Sequence, residues 1–366
     1  MKICFVAFGI YPVLCNVVSA ERIGGAELQQ IHIGKGLLRR GYNVCYITCD
    51  YGQEDAEVID GFVIYKAFKE DVGIPVLRFL YPRLYKIWMS LLKADADIYY
   101  CRAAGFMPCI LAIFCRLFKK KFIFAAAHDT DFIPSQLLVA NWRDKFLYKI
   151  GLRHAHHILV QSNTQKELLK RNFGLDGTVI RNFFNSDIVR YDSNKDVILW
   201  VATIRSWKRP LEFIQLARLF PHENFVMIGG KDSSECDLYH TVQKECSLLS
   251  NIEFIGFQPL SETEKYFDKC KIFINTSEAE GFPNTFLQAW SRGIPVISYV
   301  DPDNLIKIHR LGAVVRSELE LAKALRLLLS GSLPSYERIQ DYFRDHHSLG
   351  VIDQYIPILE NLHTDI

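Results

Sequence analysis

The chain has 366 residues, of which 49% are hydrophobic and 23% charged, and its formal net charge is +2. That length suits two ordinary domains rather than one, and the apolar content excludes a disordered chain. A charge so close to zero excludes nucleic acid as the main partner, since such domains are strongly basic.

In chain order, "KICFVAF" (2–8) is a buried-strand pattern. Its setting, "MKICFVAFGIYP", is that of a short signal peptide, but no small-residue cleavage site follows it, so a first strand is the better reading. Gly25 to Arg40 has helical spacing and stops at Gly41. "YNVCYIT" (42–48), "DIYYC" (97–101), "KFIFAAA" (121–127) and "HHILVQS" (156–162) are further apolar runs with helical segments between them. The rhythm restarts with "DVILWVAT" (196–203), "NFVMIGG" (224–230), "NIEFIGF" (251–257), "KIFINTS" (271–277) and "PVISYV" (295–300). Helical segments fill these gaps, notably Pro210 to Phe220, Glu262 to Lys269 and Asn284 to Arg292. Continuous apolar strands separated by helices imply parallel sheets covered on both faces. The predicted organisation is therefore two doubly wound halves, 1–182 and 196–345, joined by a polar linker at 183–195. Ligands of open α/β sheets bind beyond the carboxyl ends of the strands, so a cleft between the halves is expected to hold the site.

Ten cysteines show no paired spacing, and several sit inside apolar runs, which points to core thiols in a reducing compartment. The longest uncharged apolar stretch, Ala103 to Cys115, stops at Arg116, short of the roughly 18 residues a spanning helix needs. A soluble or peripheral protein is expected.

The second half carries the sharper chemistry. In "EAEGFPNTFLQAW" (278–290) a helix opens at Asn284 with Pro283 before it. Its free N–H groups and positive dipole end form an anion site. Gly281 admits close approach of a ligand. Glu280 would repel a phosphate but would accept hydrogen bonds from neutral hydroxyls. A phosphate joined to a polyhydroxylated group satisfies both, although Glu280 complementing the helix dipole is an equal reading. In "IRSWKRP" (204–210), Arg205, Lys208 and Arg209 lie where strand becomes helix, either to neutralise a leaving diphosphate or as a solvated basic turn.

In the first half, "RHAHH" (153–157) has no carboxylate or cysteine at ligand spacing, so a metal is not expected there. "IPVLRFLYPRLYKIWMSLLK" (74–93) places Arg78, Arg83, Lys86 and Lys93 within an arc of roughly 140° if helical, beside Phe79, Leu80, Trp88 and Leu91. Pro82 is expected to break or kink it. "CRLFKKKF" (115–122) adds cations. This is either a membrane-surface face or a core helix with a solvated basic edge.

"EAEGFPNTFLQAWSRGIPVIS" resembles the donor-binding motif of the family-four, or group 1, retaining glycosyltransferases, and "VATIRSWKRPLEFIQLAR" (201–218) resembles their strand-turn-helix segment. The family's motif is an acid, seven residues and a second acid. Glu280 matches the first, and Gln288 stands at the second. Lys208 matches the family lysine, while Thr203 stands at the family arginine and Arg205 follows two residues later. "RIGGAELQ" (22–29) is similar to the glycine-rich loop that opens the family's first long helix. "AAAHDTDF" (125–132) ends a strand where the family has a residue beside the transferred sugar, which makes His128 the candidate, with Asp129 and Asp131 behind it.

The resemblance implies a GT-B fold: an α/β protein of two Rossmann-like doubly wound parallel-sheet domains facing across a cleft. The C-terminal helix, 351–366, would pack back on the first. It implies metal-independent transfer of a sugar, with retention, from a nucleotide-diphosphate sugar to a hydroxyl acceptor. His128, Glu280, Arg205 and Lys208 would be catalytic. Gly24, Gly25, Thr203, Gly281, Phe282, Pro283, Asn284, Thr285 and Gln288 would bind donor. No cofactor beyond the co-substrate and no metal are implied. The acceptor would be a saccharide or lipid-linked saccharide in surface-polysaccharide or glycolipid assembly, met in the cytoplasm, at the inner face of the membrane if peripheral. The alternatives are a sugar-nucleotide epimerase of the same fold and a silent nucleotide-sugar-binding subunit.

Overall fold

The computed structural model describes residues 1–15, 24–69, 72–73, 79–185, 195–331 and 334–364. They form two compact units. One holds the described residues of 1–15, 24–182 and from 349 onward; the other holds those of 183–348.

Among the described residues the first unit has eight strands: β1 (Lys2–Val6), β2 (Asn43–Thr48), β3 (Glu57–Ile59), β4 (Phe62–Lys66), β5 (Ile98–Arg102), β6 (Lys121–Ala125), β7 (His157–Val160) and β8 (Thr178–Val179). They form one sheet in the order β3-β4-β2-β1-β5-β6-β7-β8, parallel except where β3 meets β4. Its helices are α1 (Ile10–Leu14), α2 (Gly25–Arg39), α3 (Tyr85–Ala94), α4 (Met107–Leu117), α5 (Trp142–Arg153) and α6 (Asn163–Phe173). The second unit carries β9 (Val197–Val201), β10 (Asn224–Ile228), β11 (Ile252–Gly256), β12 (Cys270–Asn275), β13 (Val296–Ser298) and β14 (Gly312–Val314) in the parallel order β11-β10-β9-β12-β13-β14. Its helices are α7 (Pro210–Leu219), α8 (Cys236–Ser247), α9 (Leu260–Asp268), α10 (Asn284–Trp290), α11 (Leu305–His309), α12 (Glu318–Leu329) and α13 (Tyr336–His347). α14 (Ile356–Thr364) then returns the chain to the first unit, where Ile352 packs against Gly36 and Asp353 pairs with Arg40.

The apolar runs became strands because Val, Ile, Phe and Tyr pack on both faces of a covered sheet. The strands stop before the runs do. β6 ends at Ala125 and leaves His128 in a loop; β12 ends at Asn275 and leaves Thr276 and Ser277. Each sheet reverses its winding once, between β1 and β5 in the first unit and between β9 and β12 in the second.

Three expectations change. α10 ends at Trp290 rather than Arg292, because the turn closes there and Gly293 follows at φ +70°. The segment 74–93 is not one helix. Residues 74–78, including Arg78, lie outside the described residues, Tyr81 is extended before Pro82, and the regular helix starts only at Tyr85. The predicted arc of cations is therefore broken. Arg83 lies over the Phe68 ring, 5.2 Å from its centroid, and Lys93 pairs with Asp55. Of the predicted linker, residues 186–194 lie outside the described residues, while Phe183 and Phe184 are buried.

Candidate active site

In the second unit the winding reverses at β9 and β12, and two loops leave these neighbouring carboxyl ends. They are tied into one body. Thr276 Oγ1 accepts from Trp200 Nε1 at 2.9 Å and donates to the Lys208 carbonyl at 2.6 Å. Glu278 N donates to the Trp207 carbonyl at 2.9 Å, and Arg209 Nε donates to Glu278 Oε1 at 2.8 Å. Held between the loops, the Lys208 ammonium donates to Glu280 Oε1, with both side chains under 15% exposed. The Trp207 ring covers the ammonium, its centroid 4.0 Å from Nζ. Burial pulls the Lys208 ammonium below its ordinary range, and the Glu280 charge pulls it partway back.

This pair gives Glu280 a partner that the sequence did not name. The carboxylate meets an ammonium and lies before α10, whose first turn holds no acid. Glu280 and Lys208 were expected to touch different parts of a ligand. In the ligand-free chain each is the counter-ion of the other.

The rest of the predicted donor set divides. Pro283 is the N-cap of α10, and Asn284 and Thr285 open its first turn half-buried. Gly281 is buried and its φ is not positive, so no left-handed turn requires glycine there. Phe282 turns into the core, with ring centroids 5.0 Å from His347 and 6.3 Å from Trp290. What it can offer a ligand is its backbone. Thr203 is half-buried just past β9, and its hydroxyl has no hydrogen-bond partner among the described residues.

Gln288 requires a correction. The resemblance implies that it binds donor. It lies one turn inside α10, buried, and its amide donates to Glu264 Oε1 on α9 at 2.8 Å. Glu264 also pairs with Arg292. An acid at 288 would meet the Glu264 carboxylate at hydrogen-bond distance, whereas an amide binds it, so the departure from the family's second acid matches its neighbour. Arg205 also differs from expectation. Its Nε donates to Asp232 Oδ2 at 2.7 Å, so its charge has a counter-ion beyond β10. Asp232 is held well below the usual carboxylate range, first by the Ser234 hydroxyl and N–H and then by Arg205. Asp232, Trp207 and Thr276 escaped the sequence reading; of these only Thr276 carried a signal, as a polar residue ending an apolar run.

In the first unit, His128 caps the short turn Asp129–Phe132. Its Nδ1 accepts from Thr130 N at 3.2 Å, so the neutral ring carries its proton on Nε2. Asp131 lies behind it, fully buried. Its Oδ2 accepts from Ala127 N at 2.7 Å and His128 N at 3.1 Å, and its Oδ1 from Ala104 N at 3.4 Å. One carboxylate thus joins the loops that follow β5 and β6. Burial raises its pKa, and these N–H groups oppose the rise. Asp129 Oδ1 accepts from Gln165 Nε2 at 2.9 Å.

Gly24 and Gly25 open α2, with Gly24 as N-cap. The space that Gly24 leaves is filled by the chain's own Glu27: a Cβ at Gly24 would lie 1.9 Å from Glu27 Oε2. A carboxylate, not an open phosphate cradle, occupies the loop in the ligand-free chain. The three histidines of "RHAHH" go three ways, to the Ile150 carbonyl, the Phe122 N–H and the Thr178 hydroxyl.

Residues 23–188 match the family model for glycosyltransferase family 4, and residues 183–346 match that for glycosyl transferases group 1. The chain belongs to the family 4, group 1 glycosyltransferases. This glycosyltransferase has the GT-B fold. It is 23% identical, over 95% of its length and 73% of the relative's, to one component of human phosphatidylinositol N-acetylglucosaminyltransferase. Its fold matches sucrose-phosphate synthase from Thermosynechococcus elongatus with a TM-score of 0.78 at 15% identity, covering 100% of both chains. It also matches Anabaena HepE, solved with UDP and glucose, with a TM-score of 0.75 at 16% identity, covering 99% of each chain. The pneumococcal O-GlcNAc transferase GtfA, solved with UDP and GlcNAc, matches with a TM-score of 0.68 at 10% identity over 99% of each chain. No helix among the described residues of the glycosyltransferase is long and apolar enough to cross a membrane.

Proposed function

We propose that this glycosyltransferase moves a sugar, with retention and without a metal, from a nucleotide-diphosphate sugar to a hydroxyl of a lipid-linked or surface saccharide. The observation that carries the reading is the buried Lys208–Glu280 pair at the winding reversal of the second unit, beside the first turn of α10. Such a pair costs desolvation energy and adds little stability by itself. It makes sense as two halves of a ligand site that neutralise each other until the ligand comes. Donor entry exchanges partners: Lys208 takes the diphosphate, and Glu280 takes sugar hydroxyls. The N–H groups of Asn284 and Thr285 add to the charge stabilisation as the diphosphate leaves. Arg205, anchored by Asp232, faces the same charge at longer range. In the first unit, His128 has an Nε2–H that can donate to a ligand hydroxyl.

In the step itself, the acceptor oxygen bonds to the anomeric carbon on the face that the diphosphate leaves. The bond from that carbon to the phosphate oxygen breaks, and the acceptor's proton passes to the departing phosphate oxygen. This needs no separate protein base. UDP-sugars are the first donors to test, because HepE and GtfA were solved with UDP. The lipid-linked acceptor follows the name of the human relative. The protein would then work in the cytoplasm, at the inner face of a membrane.

The test is nucleotide release from a panel of sugar nucleotides. Wild type is expected to release nucleotide, with the rate unchanged by EDTA. Glu280→Ala and Lys208→Ala each lower release by about a hundredfold or more, while His154→Ala, an exposed change at the end of α5, does not. Tight binding without release would instead favour the silent binding protein, the reading that the internally engaged Gln288 supports. Inversion at the anomeric carbon would sink the retaining assignment.

A further inference from the structure

The connections carrying α3, α4 and α5 all wind the same way across the first sheet, from β4 to β5, β5 to β6 and β6 to β7. Right-handed crossovers in one direction place their helices on one face. The core agrees: Ile87, Leu91, Leu111, Phe114, Tyr148 and Leu152 from these helices share one cluster with inward residues of the sheet. The outward sides of the three helices therefore form one surface. Trp88 joins α3 to α4, its ring 5.2 Å from Phe114. Gly151 brings α5 so close to α4 that a Cβ would lie 2.2 Å from Cys109 N, and Arg143 covers the Phe79 ring at 3.6 Å.

That surface is apolar where solvent meets it. On α3, Tyr85, Met89 and Leu92 are exposed at i, i+4 and i+7, continuing from Tyr81 at 69% exposure. α4 and its C-cap expose Ile113, Leu117 and Phe118. α5 exposes Trp142, at 81%, and Phe146 one turn on. The large hydrophobics exposed in the second unit are scattered aliphatics, with no aromatic among the described residues. On α3, α4, α5 and the turn after α4, the charges without an ion-pair partner among the described residues are of one sign. Lys86, Arg116, Lys119, Lys149 and Arg153 are exposed and have no ion-pair partner among the described residues. On α5 the exposed stripe runs Trp142, Phe146, Lys149, Arg153, aromatics first and cations after. The nearby acids are matched, Asp95 by Lys120 and Asp144 by Arg143.

We propose that the outward face of α3, α4 and α5 docks on an anionic lipid surface, its aromatics entering the interface and its unpaired cations meeting the headgroups. Tyr and Trp settle at the membrane–water boundary, and exposed Lys and Arg add attraction to anionic lipid. The sequence pointed to cations and large apolar residues on 74–93 and to the cations of 115–122. The surface instead spans three helices, and aromatics on α5 contribute to it. The proposal rests on the lipid-linked acceptor reading only for what the docked protein would act upon.

The test is co-sedimentation of the full chain with phosphatidylcholine vesicles, with and without about one-third phosphatidylglycerol. Binding is expected only to the anionic vesicles, weakening steeply with salt. Trp142→Ala/Phe146→Ala and Lys149→Glu/Arg153→Glu should each weaken it about tenfold or more. Nucleotide release in vesicle-free solution, unchanged in both variants, shows that they remain folded. Equal binding to neutral vesicles, no binding to either, or variants that bind like wild type would each overturn the proposal. So would a concentration-dependent dimer that Trp142→Ala/Phe146→Ala abolishes, since a second copy would then cover the face. Absence of nucleotide release from the wild type would count against the transferase reading and leave the vesicle result standing.

Discussion

Lys208→Ala is expected to lower nucleotide release by about 10²–10³-fold, the usual cost of removing one group aimed at developing charge. It should also destabilise the second unit by about 3–5 kcal/mol, because Glu280 is left buried without its counter-ion. The two effects separate in the double variant. Lys208→Ala/Glu280→Ala removes both charges, so its thermal midpoint should recover most of the loss while turnover stays as low as in the single variant. Recovery of both, or of neither, would contradict a pair whose function is to be exchanged for a ligand. Lys208→Arg should hold the thermal midpoint better than alanine does, yet restore little turnover. Guanidinium is wider than ammonium, and the Lys208 side chain is already buried against the Trp207 ring.

Asp131→Ala is expected to have the second largest effect, on the first unit. It strands the part-buried N–H groups of Ala104, Ala127 and His128 together, at a cost of about 3 kcal/mol. Differential scanning calorimetry should show a midpoint lower by roughly 6–12 °C. The freed loop after β6 also releases His128, so transfer should fall even at saturating donor. Asp131→Asn separates charge from shape. The folded pKa of Asp131 is raised by burial, so its protonated form favours the fold. Its contribution is fully present below the ordinary carboxylate pKa and is lost as pH rises through the raised value. The stability of wild type relative to Asp131→Asn should therefore decline from about pH 4 upward. A rise over that window would mean that the three N–H groups outweigh burial.

The second unit was legible because its signals are local. Strand, turn and helix stand next to one another in "IRSWKRP" and "EAEGFPN", and a lysine or acid at a strand end can be assigned without knowing the fold. What stayed hidden depends on distance along the chain. Lys208 and Glu280 are 72 residues apart, and nothing in either stretch says that they pair. Asp232 lies 27 residues beyond Arg205, and Glu264 lies 24 before Gln288. Each was brought to its partner by strand order, which is set by packing across the whole sheet. The segment 74–93 misled for a different reason. Pro82 breaks the periodicity as expected, and with Tyr81 extended before it Arg83 falls in a different element from Lys86 and Lys93. Glu27 was missed because a Gly-Gly pair states that something comes close, and not that the chain itself supplies it.

The most direct measurement is the structure of the protein with a sugar nucleotide bound. The account predicts that the Lys208–Glu280 pair is broken, with Lys208 Nζ within about 3 Å of a diphosphate oxygen and Glu280 on a sugar hydroxyl. A bound nucleotide with that pair intact, its phosphates elsewhere in the protein, would contradict it.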